Sequence, residues 1–195
     1  MNAQEKAAWA LHRFLALRGI PYAIIGGMAV QRWGRPRFTQ DVDFTILLVP
    51  GEERPILEEI AAAFPARTQN PVEFALRHRM LLLRVPNAAD VDLSLGLPGY
   101  EDEVIARAVE YNLGRGRKVR LCSAEDLIIH KAVAGRPQDL LDIEGILLRQ
   151  QEHLDVSYIR NWLKVFAELL GTDDVIRRFE TQWGQLNPGH RAHQP

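Results

Sequence analysis

Apolar residues recur at helical spacing from about Gln4 to Leu17, with Ala7, Leu11, Phe14 and Leu15 on one face, which predicts an amphipathic helix. Gly19 and Pro21 then stop it. Tyr22–Ile25 is a short apolar run, predicted as a buried strand, that leads directly into Gly26-Gly27. A short helix from Met28 to Trp33 follows and ends at Gly34. The stretch Asp41 to Val49 is rich in β-branched and aromatic residues and closes at Pro50-Gly51, so it reads as a strand. Glu52–Phe64 returns to the helical period through Ile56, Leu57, Ile60 and Ala61. Further strands are expected near Val72–Leu76, Met80–Val85 and Asp90–Leu95, the last two joined through Pro86-Asn87. Tyr100–Tyr111 reads as helix, and Lys118–Leu121 as a final edge strand.

Beyond Ser123 the pattern changes. Ser123 is placed to cap a helix whose first turn carries Glu125 and Asp126. Everything from there to Leu186 reads as helix, interrupted at Gly135-Arg136-Pro137, Asp155-Val156-Ser157 and Gly171. Strands with interleaved helices followed by helices alone make an α+β protein: a small mixed β-sheet core over residues 1–122 and a C-terminal helical region over 123–186. Residues 187–195 are polar and are expected to form a flexible tail.

An apolar share of 47% and a charged share of 25% are those of an ordinary globular chain. A formal net charge of −1 excludes a generally basic nucleic-acid binder, although Arg32, Arg35 and Arg37 cluster, as do Arg115, Arg117, Lys118 and Arg120. Those clusters are candidate phosphate sites or solvated turns. No apolar run approaches the ~20 residues of a membrane helix, and the amino terminus lacks a signal-peptide layout. Cys122 is the only cysteine, so no internal disulfide can form, and a cytoplasmic location is expected.

The candidate chemistry lies in carboxylates. Asp41 and Asp43 flank Val42, so their side chains share one strand face with Cα atoms roughly 6–7 Å apart. Two carboxylates so placed repel each other unless a hard divalent cation lies between them. An isolated Asp-x-Asp is usually a capping and an exposed position. Here it begins fourteen residues after Gly27, and glycines at a strand–helix junction let backbone N–H groups approach a phosphate. A third acid comes from Ala89-Asp90-Val91-Asp92-Leu93. Asp92 lies between apolar residues; Asp90, nearer a turn, is the alternative. If this strand neighbours the first, facing side chains would be about 4.5–5.5 Å apart at Cβ, and two metal ions could be shared. Asp92 could then also act as general base.

These residues resemble the DNA polymerase β-type nucleotidyltransferase superfamily: Ile25-Gly26-Gly27, then Arg37-x-Thr39-x-Asp41-x-Asp43, then Val91-Asp92-Leu93. The nearest likeness is to the AbiEii-like nucleotidyltransferases of toxin–antitoxin and abortive-infection systems. Ser123-x-x-Asp126 through Lys131, and Gly135-Arg136-Pro137-x-Asp139-x-x-Asp142, are similar to that group's segments after the core. The resemblance implies two Mg²⁺ ions held by Asp41, Asp43 and Asp92, which are also the catalytic residues. It further implies a nucleoside triphosphate such as ATP bound by Gly26, Gly27, Arg37, Thr39 and Lys131. The implied acceptor is an RNA (notably tRNA), a protein or a small molecule, and a cognate antitoxin is a possible partner. Read from the residues alone, Lys131 suits a helix C-terminus in any case, and Arg136 with Asp139 and Asp142 could be a plain surface ion-pair set. Gly27 stands where many superfamily members carry Ser, which removes a hydroxyl. Two other readings remain open: an aminoglycoside-type antibiotic nucleotidyltransferase, with Glu101, Asp102 and Glu103 as its acidic pocket, and a catalytically silent nucleotide- or partner-binding module. His190 and His193 lie in the tail and are not expected to be ligands.

Overall fold

The computed structural model describes residues 1–187, so the expected tail, with His190 and His193, falls almost wholly outside the described residues. The chain forms two compact units: Met1–Met28 with Phe38–Ser123, and Ala29–Arg37 with Ala124 onward. Architecture and composition together are those of a mixed α/β protein with one mixed sheet.

The first unit opens with α1 (Ala3–Leu17), whose N-terminus is closed by a reciprocal capping box between Asn2 and Glu5. Strand β1 (Tyr22–Ile25) follows, and Gly26 begins α2 (Gly26–Trp33). Then come β2 (Asp41–Ile46), α3 (Glu53–Ala63), α4 (Pro71–His78), β3 (Met80–Arg84), β4 (Asp90–Leu95), α5 (Tyr100–Ala106), β5 (Val109–Gly114) and β6 (Arg117–Leu121). The sheet order is β3-β4-β2-β1-β6-β5. β2 runs parallel to β4 and β1 parallel to β6, while the other neighbours are antiparallel.

Alternation divides this sheet cleanly. Ile24, Phe44, Val42, Val91, Leu93, Leu81 and Leu121 are fully buried and pack with Ala7, Leu11 and Leu15 of α1 and Leu57 and Ile60 of α3. Their odd-numbered neighbours on β2 and even-numbered neighbours on β4, Asp41, Asp43, Asp90 and Asp92, face the other side. The hydrophobic effect therefore fixes the register: a one-residue slip would bury four carboxylates under α1.

Three local expectations are corrected. Val72–Leu76 is helical, because Pro71 starts α4 at a position where its missing N–H is no loss. The expected helix Tyr100–Tyr111 ends at Ala106, and Val109, Tyr111 and Leu113 alternate in β5 instead. β6 is not an edge: β5 pairs with its outer side through a hairpin at Gly114-Arg115-Gly116.

In the second unit α6 (Ala124–Ala134) packs against α7 (Pro137–Gln150), α8 (Val156–Leu170) and α9 (Asp174–Leu186). Its Leu127, Ile128, Ile129 and Ala132 are fully buried, which is what a helix with apolar residues on several faces requires. Arg149 and Gln150 at the end of α7 donate to the carbonyls of Gly34 and Trp33, both at 2.9 Å. They thereby satisfy acceptors left open at the end of α2.

Candidate active site

The carboxylates are brought together by pairing of β2 with β4. Asp43 lies directly beside Asp92 and Asp41 beside Asp90, on the sheet face opposite α1. Neighbouring strands are about 4.8 Å apart, so three or four acids share a small area. The sequence requires this arrangement only once the two strands are neighbours. Their parallel pairing is not encoded locally.

Gly26 and Gly27 close the site from β1. Ile25 pairs with Asp43, and Gly26 follows with φ +63°, a left-handed conformation that disfavours any side chain. A Cβ on Gly26 would come within 1.9 Å of Asp43 Oδ2 and 2.6 Å of its Cγ. The space left by the missing side chain is therefore filled by the Asp43 carboxylate. At Gly27 a Cβ would meet Thr39 Oγ1 at 2.6 Å. Thr39 Oγ1 in turn donates to Asp41 Oδ1 at 3.2 Å. The hydroxyl missing at Gly27 is thus replaced nearby by the hydroxyl of Thr39. The first N–H groups of α2 have no acceptor inside the helix, and that end is favourable for a phosphate.

Asp92 has a partner that sequence reading missed. Arg67, between α3 and α4, ion-pairs with Asp92 through Nη2 and lies 3.6 Å from Asp90 Oδ2 through Nε. Its backbone N–H donates to Leu82 O at 2.9 Å, which anchors the loop to β3. Burial is the largest cause pushing the Asp92 carboxyl above the usual range. Arg67 opposes that rise, and repulsion from Asp41 and Asp90 adds to it. Only long-range contact joins Arg67 to this site, and no spacing in the sequence signals it.

The donor set suits a hard divalent ion, since every candidate ligand is a carboxylate oxygen. Among the described residues, however, no three His, Cys, Asp or Glu side chains converge closely enough to hold a metal ion. Asp92 is engaged by Arg67 instead, so the strands align the donors while one donor faces another cation.

Arg37 and Lys131 are in the second unit. Lys131 Nζ lies 2.8 Å from Asp139 Oδ1 and 2.8 Å from Asp142 Oδ2, with side chains only 5%, 1% and 2% exposed. Arg37 Nε donates to Asp142 Oδ1 at 2.9 Å and Nη2 to Oδ2 at 3.0 Å, a two-pronged contact. Arg136 Nε adds a bond to Asp139 Oδ2 at 2.7 Å. Burial alone would raise both carboxyls, but these cations outweigh it and hold Asp139 and Asp142 below the usual range. The expectation of a plain surface ion-pair set is corrected here: both aspartates are buried, because α6 and α7 pack on each other.

Glu101 is half-buried, with its carboxyl pushed up mainly by burial, while Asp102 caps α5 by accepting from Gly99 N at 2.6 Å. The acidic run of α5 therefore serves its own first turn.

The sequence profile of the family described as "Nucleotidyl transferase AbiEii toxin, Type IV TA system" matches residues 10–175. Comparison with curated proteins gives no match. Among solved structures, an antigenic nucleotidyltransferase-like protein from Paracoccidioides brasiliensis is similar. Its TM-score is 0.52 at 20% identity, over 90% of this chain and 91% of that one. The lincosamide antibiotic adenylyltransferase LnuA, solved with lincomycin bound, also has a TM-score of 0.52, at 13% identity. The match covers 75% of this chain and 98% of that one. At these identities the two likenesses speak for the fold.

Proposed function

Because the chain belongs to the AbiEii family of nucleotidyl transferases, we propose that it moves a nucleoside monophosphate from an NTP, ATP among them, to an acceptor hydroxyl at the β2–β4 carboxylates. The observation that carries this reading is the register: Asp43 lies beside Asp92, with Asp41 on the same face and Gly26-Gly27 adjoining. Asp41, Asp43 and Asp92 would hold two Mg²⁺ ions. When bound, such ions polarise the α-phosphate and offset charge on the leaving pyrophosphate.

The chain's own groups do the rest. Backbone N–H groups at the start of α2 receive the phosphates, and Thr39 Oγ1 steadies Asp41 by its hydrogen bond. The acceptor oxygen forms a bond to the α-phosphorus, the α–β anhydride breaks, and pyrophosphate departs. Asp92 takes the acceptor's proton on a carboxylate oxygen. Lys131 and Arg37 are proposed to serve the triphosphate by exchanging part of their pairing with Asp139 and Asp142.

The family description extends the proposal to biology. The protein would act as the toxin of a toxin–antitoxin pair in the cytoplasm, restrained by a cognate antitoxin. None of the helices among the described residues is long and apolar enough to cross a membrane. Incubation with each α-labelled NTP and a cell extract should label one class of acceptor. Asp41→Ala with Asp43→Ala should abolish that labelling, and undiminished labelling by the double variant would refute the assignment.

A further inference from the structure

Backbone pairing along the edge of the sheet places the cation that engages Asp92. β3 ends the strand order β3-β4-β2-β1-β6-β5, and residues 65–67 run along its outer side. Arg84 N donates to Pro65 O at 2.7 Å, Arg67 N donates to Leu82 O at 2.9 Å, and Ala66 bridges antiparallel to Leu83. Arg67 therefore falls opposite Leu82, Leu82 lies opposite Asp92, and Asp92 lies beside Asp43. Residues directly opposite one another in a sheet point to the same face, so Arg67 belongs to the carboxylate face. Two strand spacings, about 10 Å, separate its backbone from that of Asp92, a gap that the long arginine side chain closes.

The guanidinium reaches two acids and satisfies only one of them. Nη2 donates to Asp92 Oδ1 and approaches Val91 O at 3.4 Å, while Nε lies 3.6 Å from Asp90 Oδ2. That last separation is too long for a hydrogen bond. Nε is shut off from solvent and donates to no acceptor among the described residues. A buried N–H without an acceptor is unfavourable, and Asp90 Oδ2 is the carboxylate oxygen within its reach. The other Asp90 oxygen, Oδ1, lies 3.8 Å from Arg84 Nε. Asp90 thus faces two arginines, whereas Asp41 and Asp43 lie on β2, toward Thr39 and Gly26.

We propose that Arg67 is a positioning residue with two carboxylate partners: it pairs with Asp92 until a divalent ion takes that carboxylate, and then moves onto Asp90. Asp90 is the receiver of the arginine and not a ligand of the ion. The inference rests on the metal-dependent transfer reading above. Arg67 offsets the repulsion among neighbouring carboxylates, and an ion that binds them takes over that task. Without a receiver, the displaced guanidinium would be left partly buried and unpaired, which opposes its release. With Asp90 in reach, Nε gains the acceptor it lacks. Only the guanidinium changes partner, because the backbone of residues 65–67 stays bonded to β3. The exchange also gives the fourth acid a purpose that the three ligands do not share. It further accounts for the failure of three acids to converge among the described residues, since Asp92 is turned toward Arg67.

Two measurements on the full chain without nucleotide test this, with circular-dichroism melting confirming that each variant folds. The first follows the Arg67 Nε–H resonance in a proton–nitrogen correlation NMR spectrum. Arg67→Lys, which keeps the charge and lacks Nε–H, identifies that resonance. Saturating Mg²⁺ should move it downfield as the N–H gains an acceptor, and Asp90→Ala should abolish the movement. A resonance that Mg²⁺ leaves in place in the wild-type chain overturns the proposal, as does an equal movement in Asp90→Ala. The second follows Mn²⁺ binding by electron paramagnetic resonance in about 1 M KCl, where charges more than ~3 Å apart are largely screened. Asp90→Ala should weaken Mn²⁺ at least about fivefold in the wild-type chain and less than about twofold in Arg67→Gln, where no arginine is left to be received. Equal weakening in both backgrounds makes Asp90 a ligand of the ion and overturns the proposal. No Mn²⁺ binding by any form, Arg67→Gln included, removes the metal reading and the proposal with it. Mn²⁺ binding that is lost in Asp43→Asn yet indifferent to both Arg67 and Asp90 keeps the metal reading and removes the proposal.

Discussion

Replacing Gly26 by Ala tests how the carboxylate site is built. Gly26 has φ +63°, and an alanine held there costs about 1–2 kcal/mol in backbone strain. Its Cβ would also lie 1.9 Å from Asp43 Oδ2, 2.6 Å from Cγ and 3.0 Å from Cβ. Asp43 must therefore leave its rotamer, at a further cost of about 0.5–1.5 kcal/mol. The variant should melt roughly 4–10 °C lower, at about 2–4 °C per kcal/mol for a chain of this size. In an Asp43→Ala background the two closest contacts vanish, and the backbone cost remains with the 3.0 Å contact to the Cβ of residue 43. A double-mutant cycle by urea denaturation should then give a coupling of about 1 kcal/mol. Labelled-NTP transfer by Gly26→Ala should fall by at least about a hundredfold, because displacement of a reacting group by ~1 Å costs that much. Equal destabilisation in both backgrounds, together with undiminished transfer, would refute the reasoning.

Other consequences are open to separate measurements. Arg67→Gln removes the cation that engages Asp92, so Mn²⁺ binding followed by electron paramagnetic resonance should tighten about fivefold, the equivalent of ~1 kcal/mol; weaker binding would contradict a competing role for Arg67. Lys131→Met leaves Asp139 and Asp142 buried beside one fewer cation, and urea denaturation should show a loss of about 3 kcal/mol. Adding Asp139→Asn should recover part of that loss. His130 keeps its Nε2 away from solvent, and burial holds its pKa at about 4 against an ordinary 6.5. The unfolded chain therefore takes up a proton between those values that the folded chain refuses. Stability should be complete above pH 6.5 and decline toward pH 4, by at most about 3 kcal/mol. In His130→Gln that decline should flatten, as read from Tm against pH. Asp139 and Asp142, held below their ordinary range, contribute stability that is lost only at still lower pH.

How much of this was legible in the sequence depended on distance along the chain. The β2 acids follow from alternation over a few residues, as do the buried positions between them. The site's glycine junction was visible too, but its reason was not: Gly26 makes room for Asp43, and Gly27 for Thr39. Val72–Leu76 is too short to separate a period of 2 from one of 3.6, and Pro71 settled it as a helix start. Tyr100–Tyr111 contains a helix and a strand, and only the partner strand β6 separates them. The contact of Arg67 with Asp92 and the buried pairing of Lys131 arise from tertiary contact. No local pattern could announce them.

The most direct test of the central claim compares two labels on one substrate. The protein is incubated with Mg²⁺, a cell extract and ATP, GTP, CTP or UTP labelled at either the α- or the γ-phosphate. The account predicts that label from the α-position becomes attached to an acceptor, that γ-label does not, and that Asp43→Asn abolishes the attachment. Transfer of γ-label, or attachment of α-label that survives Asp43→Asn, would contradict it.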